Sequence, residues 1–475
     1  MNMKQYLPIF LLAGSLMSCQ QPSKNQQLAA TLLNDTTLNK VDSMARATLA
    51  QGFNAGSGYS QVWARDLNTF IETACEVNDP ADIRGAILVF FRMQQPNHEM
   101  VDGYVLKPDF TWYDDTPYYS DNAPEHVGFK NTVETDQETS LIQLVGKYIR
   151  KTGDTSLLQE DIAGRSVLQR MDDMVDYLMK ERYSEPYGLL WGAMTADWGD
   201  VQPGEGFPCD LNEYSYKAID VYDNAMFIIA LRELEGMTDD PALIGKWKNL
   251  RESIAANVRR HLWDAEHQKF IPHLYLDGSP IPAGFDENQI HYHGGTAVAI
   301  EAGLLSPEEI DTVNRQMVEN VRLSGMPSIG LTLYPPYPDG LFGGGMKDPY
   351  VYQNGGDWTW FGGRMIQQLI LNGKVEEAYA EVRPMLDRVL ANNGFYEWYG
   401  KGGVPSGSGH FKGSAGTLAR PSPCSGHGRR SIIHDELLVK HRNKYKRIRT
   451  EFLILVRERR RSDFASFFIG RQILP

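Results

Sequence analysis

Twelve stretches of this chain place apolar residues at every third or fourth position, and this recurring helical period restricts the fold more than any other feature. The stripes are Leu38, Val41, Ala45 and Leu49; Leu67, Phe70, Ile71 and Ala74; Ile83, Ala86, Ile87 and Phe90; and Leu141, Leu144, Val145 and Tyr148. Val167, Met171, Met174 and Leu178 form the fifth, and residues 225–231, apolar nearly all round, form a sixth that must be buried on every side. Ile244, Trp247, Leu250, Ile254 and Val258 follow, then residues 296–304, then Ile310, Val313, Met317 and Val321. Residues 358–371, a stripe from Val375 to Val389, and a segment starting near Gly413 complete the series. Boundary residues agree: Asp79-Pro80 and Asp240-Pro241 pair a cap with a first-turn proline, Ser306-Pro307-Glu308-Glu309 is a capping box, and Gly373 is placed to end the tenth helix. No fixed period or repeated motif supports a solenoid. Twelve helices alternating in adjacent pairs predict an all-α (α/α)6 barrel, with the even-numbered, more apolar helices inside.

The ends of the chain differ from this middle. Lys4, an apolar run over residues 6–12, and Leu16-Met17-Ser18-Cys19 form a secretory signal too short to span a bilayer. The stretch before Cys19 resembles a bacterial lipobox, which implies cleavage there, lipidation of Cys19 and a place in the cell envelope, the lipid being its link to the membrane. Residues 1–18 are then the signal and 19–35 a polar tether. At the other end, residues 420–475 hold 14 Lys and Arg against 5 Asp and Glu, in a chain of net charge −13. The break falls where the twelfth helix should run. Its two readings are an interaction arm and a shifted reading frame, and the abruptness favours the second, with the last helix disrupted. The acidic remainder excludes nucleic acid as a partner. Cys75, Cys209 and Cys424 give neither a disulfide framework nor a metal spacing.

The chemistry-bearing residues gather just before the even-numbered helices: Trp63-Ala64-Arg65-Asp66, Asp136-Gln137-Glu138, Asp197-Trp198-Gly199-Asp200, His291-Tyr292-His293-Gly294-Gly295, Tyr352-Gln353-Asn354-Gly355-Gly356-Asp357-Trp358 and Phe395-Tyr396-Glu397-Trp398-Tyr399. In a barrel of alternating helices all six entrances lie at one end, which is where a pocket belongs. The long segment 97–131, with Tyr104, Phe110, Trp112, Tyr113, Tyr118 and Tyr119, is placed to wall it.

Over about residues 36–419 these motifs resemble the six-hairpin glycosidases: glucoamylases, trehalases, processing α-glucosidases, and cellobiose and chitobiose phosphorylases. Trp63-Ala64-Arg65-Asp66 is similar to that superfamily's sugar-gripping turn. Asp197-Trp198-Gly199-Asp200 is similar to the phosphorylases' Asp-Trp-Asn-Asp, whose last carboxyl is the general acid. Phe395-Tyr396-Glu397-Trp398-Tyr399 is similar to the stretch that holds the base in trehalases and α-glucosidases, and Lys412-Gly413-Ser414-Ala415-Gly416 to the turn that opens the last inner helix. The resemblance implies an oligo- or polysaccharide substrate, α-glucoside-like, with Asp200 as acid and Glu397 as base, and no cofactor. An inverting site needs a protonated carboxyl at the leaving oxygen and a carboxylate across the ring that activates water. Trp63, Trp198, Trp358 and Trp360 are candidate sugar platforms or core residues, and Arg65, Asp66, Asp197 and Asn354 are candidate polar contacts. Asp197 is the alternative acid, and Arg65 could instead pair with Asp66 or Glu72. His291 and His293 lack a third ligand, so no metal is expected. The rival functions are a glycoside phosphorylase, an epimerase or lyase on a similar barrel, and a non-catalytic glycan-binding lipoprotein.

Overall fold

The computed structural model describes residues 24–111, 117–206 and 208–419, and these fall in two units of backbone contact. The first contributes one described helix, α1 (Lys24–Asn34). The stretch expected as a tether is therefore helical over most of its length: Gln, Leu and Ala favour helix even where nothing marks a buried face. The signal peptide, Cys19, Trp112, Tyr113 and the basic tail lie outside the described residues.

The second unit holds α2 (Thr36–Leu49), α3 (Ala64–Val77), α4 (Pro80–Met93), α5 (Gln137–Thr152), α6 (Val167–Glu181), α7 (Val221–Glu235), α8 (Pro241–His261), α9 (Gly294–Ala302), α10 (Pro307–Ser324), α11 (Thr359–Leu371), α12 (Val375–Ala391) and α13 (Lys412–Leu418). Each apolar stripe read from the sequence falls on one of these, the eighth running two residues past the end of α9. Asp79 and Asp240 each accept a hydrogen bond from the amide two residues on, ahead of a first-turn proline, and Ser306 and Glu309 form the reciprocal capping box. Gly373 stands one residue past the C-cap Asn372, in the left-handed region at φ 77°.

Helix α3 packs on α5, α5 on α7, α7 on α9, α9 on α11, α11 on α13, and α13 returns to α3. Six helices thus follow one another in cyclic order, while α4, α6, α8 and α12 pack on α3, α5, α7 and α11. The hydrophobic pattern explains the division. Helix α7 is buried on nearly every side, whereas the longer α8 buries only Trp247, Ile254 and Val258. The last ring helix is built of small residues because it lies very close to its neighbours. A Cβ on Gly416 would stand 2.4 Å from Phe70 of α3, and one on Gly363 of α11 would stand 2.5 Å from Thr417.

One departure from the all-α expectation concerns the loops, which return along themselves as short antiparallel strands. Val62–Trp63, Gly103–Leu106 and His126–Phe129 form a three-stranded sheet with Val62 opposite Tyr104 and Tyr104 opposite Gly128. Tyr396–Tyr399 pairs with Pro405–Gly409. Loop backbone that is buried needs hydrogen-bond partners, and a returning strand supplies them.

Candidate active site

The N-terminal ends of the ring helices converge through their side chains. Arg65, in the first turn of α3, gives Nε to Asp136 Oδ2 at 2.7 Å, Nη2 to Glu134, and Nη1 to the Trp198 carbonyl at 3.3 Å. Asp136 also accepts from the Tyr222 hydroxyl of α7 at 2.6 Å. The guanidinium fork thereby ties α3, α5 and α7 together. It pairs with Glu134 and Asp136, not with the Asp66 or Glu72 weighed from the sequence, and most of its donors are engaged within the protein.

Asp197 has a similar fate. It is buried, sits in the left-handed region at φ 60°, and accepts the amides of Gly294 at 2.7 Å and Gly295 at 2.8 Å. These are the first amides of α9, so the carboxylate seals a helix N-terminus where negative charge is favoured. Burial pushes its pKa up while those two donors pull it down. Both glycines are required by closeness: a Cβ on Gly294 would lie 2.1 Å from Trp198, and one on Gly295 2.8 Å from Asp197 itself.

Three of the four candidate sugar platforms are core residues. Trp198, Trp358 and Trp360 are 1–3% exposed. Trp198 stacks on Phe361 at 4.1 Å and meets Trp358 edge-on at 4.8 Å. Trp360 donates to Thr69 at 2.7 Å and Trp358 to the Tyr352 carbonyl at 3.1 Å. Trp63 is only half-buried, at 6.0 Å from Phe129. Asn354 is fully buried and spends both ends of its amide on the backbone of Tyr337, at 2.8 and 3.2 Å. It pins a loop. Of the long segment, Tyr104 is buried, Phe110 and Tyr118 are half-buried, and Tyr119 is exposed.

Asp200 and Glu397, 197 positions apart in number, share one electrostatic environment with Asp66, Asp102 and Tyr59. Glu397 lies on the Tyr396–Tyr399 strand with both oxygens held: Oε1 accepts from the Tyr59 hydroxyl at 2.9 Å and Oε2 from the Ser408 amide at 2.7 Å. Burial raises its pKa, these two donors lower it, and the Asp200 charge raises it again. Gly407, at φ 69°, leaves the space Glu397 fills, since a Cβ there would stand 2.4 Å from Oε2. Asp200 is held by its backbone, the amide donating to Gln353 Oε1 at 3.2 Å and the carbonyl accepting from Asn131 at 2.7 Å. Its Oδ1 is buried without a hydrogen-bond partner among the described residues. Burial raises its pKa too, opposed by the Arg65 charge and by Gln353. Asp66 is likewise raised by burial, to about 8, with one oxygen unpaired among the described residues. Asp102 is raised by burial to about 7. Lys412, bonded to Asn54 at 2.8 and 2.9 Å, is lowered by burial to about 8.

Tyr59, Ser408, Gln353, Asp102, Glu134 and Lys412 were not singled out for roles from the sequence. Gln353 lay inside a recognised motif, and Tyr59 in a Gly-rich stretch ahead of Trp63 that could have drawn notice. His293 is buried with Nε2 3.0 Å from Asn320 Nδ2, and His291 joins a short strand pair with Tyr334. Among the described residues no group of three or more His, Cys, Asp or Glu is arranged to hold a metal.

No family model matches the chain. A curated N,N'-diacetylchitobiose phosphorylase from Vibrio furnissii is 26% identical over 200 residues, which cover 40% of this chain and 23% of the relative. The chain therefore spans under a quarter of that relative's length. A mannosylglycerate hydrolase from Thermus thermophilus, solved with glucose, superposes over 80% of this chain and 99% of its own, with TM-score 0.56 and 14% identity. A rhamnosidase from Klebsiella oxytoca with rhamnose bound covers 81% of this chain and 63% of its own, with TM-score 0.52 and 14% identity. The chain shares the fold of these two solved structures. Within that fold, Asp200 in the loop ahead of α7 and Glu397 on the Tyr396–Tyr399 strand lie in each other's electrostatic field.

Proposed function

We propose that this chain is an inverting glycoside hydrolase, that its closed ring of helices is the inner layer of an (α/α)6 barrel, and that Asp200 is the general acid and Glu397 the general base. The observation that carries this reading is the unequal treatment of two buried carboxyls in one site. Both oxygens of Glu397 accept hydrogen bonds, which suits an ionised base that orients a water. Asp200 keeps an unpaired buried oxygen, which suits a carboxyl that holds a proton for a leaving group. Pairs of carboxyls whose surroundings differ in this way divide acid and base work. The similarity to a chitobiose phosphorylase, a mannosylglycerate hydrolase and a rhamnosidase supports chemistry on glycosidic bonds.

Hydrolysis is favoured over phosphorolysis by charge. An attacking phosphate dianion needs cationic donors, but Arg65 is paired with Glu134 and Asp136, and Lys412 is held on Asn54. The groups sharing the field of Asp200 and Glu397 include Asp66 and Asp102, a setting for a neutral sugar and water. The superfamily resemblance favours an α-glucoside-like oligosaccharide. The Cys19 lipobox supports a lipid-anchored enzyme of the cell envelope. Incubation with a panel of α- and β-linked oligosaccharides, with and without inorganic phosphate, tests the reading. Reducing sugar released without phosphate is the expected result, and turnover that requires phosphate overturns it.

A further inference from the structure

We propose that Gln353 is a positioning residue that fixes the general acid in place, an inference resting on the hydrolase reading of Asp200. Gln353 is buried at 1% exposure in the loop ahead of α11. Its neighbours Tyr350, Tyr352 and Gly355 all adopt positive φ, at 67°, 50° and 89°. Backbone held in such regions persists only where surrounding structure imposes it, and it gathers at functional sites. Two anchors impose it here. Asn354 clasps the Tyr337 backbone, and Asp357 exchanges backbone hydrogen bonds with Tyr399 at 3.0 and 2.8 Å. Tyr399 lies two residues beyond Glu397, so hydrogen-bonded backbone joins the glutamine beside the acid to the strand that bears the base.

The amide has only one orientation compatible with its contacts. Gln353 Oε1 accepts the Asp200 amide at 3.2 Å. The other end, Nε2, is a donor, and the Gln353 side chain favours the ionised form of the Asp200 carboxyl. The chain makes room for this approach, because a Cβ on Gly199 would stand 3.0 Å from Gln353 Oε1. The charged and titratable groups that also face Asp200 are Arg65 and Asp66 from α3, Asp102, Asp136 ahead of α5, Tyr59, Tyr352 and Glu397. Arg65 pulls in the same direction as Gln353, but it is committed to two other carboxylates. Gln353 is neutral and holds the acid through its backbone amide.

Two variants test this. In Gln353→Glu, an oxygen still accepts the Asp200 amide while the second oxygen opposes the carboxylate. In Gln353→Met, acceptor and donor are both removed. The alkaline limb of the kcat/KM profile reports the acid, and the acidic limb reports the base. Both variants are expected to move the alkaline limb up by about one pH unit and to leave the acidic limb in place. A uniform loss of rate with both limbs unmoved would show a structural role only and overturn the proposal. Carboxyl-13C aspartate labelling, with the Asp200 signal assigned by its loss in Asp200→Asn, reads the same quantity without any substrate. If the full chain cleaves no glycoside of the panel, the hydrolase reading falls, yet this titration still decides the role of Gln353. A higher Asp200 pKa in both variants supports it, and an unchanged one refutes it.

Discussion

Asp197→Ala should destabilise the protein severely, because the structure assigns this carboxylate to a helix end and not to a ligand. The side chain is 1% exposed, and its two oxygens receive the Gly294 and Gly295 amides at 2.7 and 2.8 Å. Truncation strands two buried donors, each costing about 1–3 kcal/mol when left unpaired. It also removes a negative charge from the N-terminus of α9, worth about 0.3–2 kcal/mol. The combined loss is about 2–8 kcal/mol, against a total stability of only about 5–15 kcal/mol for a folded domain. Asp197→Asn should lose about half as much, since one amide keeps an oxygen and the other meets an NH2 group. Urea unfolding followed by tryptophan fluorescence measures this directly, with Trp198 adjacent in sequence to the change. An unchanged unfolding midpoint combined with lost sugar binding would refute the reasoning and return Asp197 to the substrate.

Three further outcomes follow from the site. Tyr59→Phe removes the hydroxyl that holds down the pKa of Glu397; the base then needs a higher pH to ionise, so the acidic limb of the rate profile should move up by about one unit. Arg65→Ala leaves Glu134 and Asp136 buried without their cation and should lower unfolding free energy by about 3–5 kcal/mol, which urea titration reads. Asp66 binds its proton more tightly when folded, at about 8, than unfolded, at about 4. Its contribution to stability therefore falls as pH rises through that window. Asp66→Asn should match the parent chain at pH 4 and exceed it in urea midpoint at pH 9.

The fold was legible because its signal is local. Twelve stripes, two Asp-Pro caps and the Ser306–Glu309 capping box lie within single helices, and a period of 3.6 can be counted along a chain. The ring followed from one further step: helices such as α7, apolar all round, can only be surrounded. Which candidate residues lie near one another was more legible than what each side chain touches. Asp200, Glu397, Arg65 and Asp66 do converge, but what each side chain touches depends on residues far away. Arg65 meets Glu134 and Asp136, about 70 positions on. Asn354 meets the Tyr337 backbone, which no side-chain pattern announces. A buried tryptophan and a sugar platform have the same letter, so Trp198, Trp358 and Trp360 could be separated from Trp63 only by exposure. The short loop strands were missed because two- to five-residue pairings carry no period of their own.

The stereochemistry of the first product tests the pairing of Asp200 with Glu397 most directly. Proton NMR of the anomeric signals, recorded within the first turnovers on the best substrate of the panel, reads whether the configuration at the cleaved carbon is reversed. An acid and a base on opposite faces of the ring, about 6.5–9.5 Å apart with a water between them, give the inverted anomer. That product, abolished in both Asp200→Asn and Glu397→Gln, is the predicted result. Retention of configuration, or undiminished turnover in either variant, would contradict the assignment of Asp200 as acid and Glu397 as base.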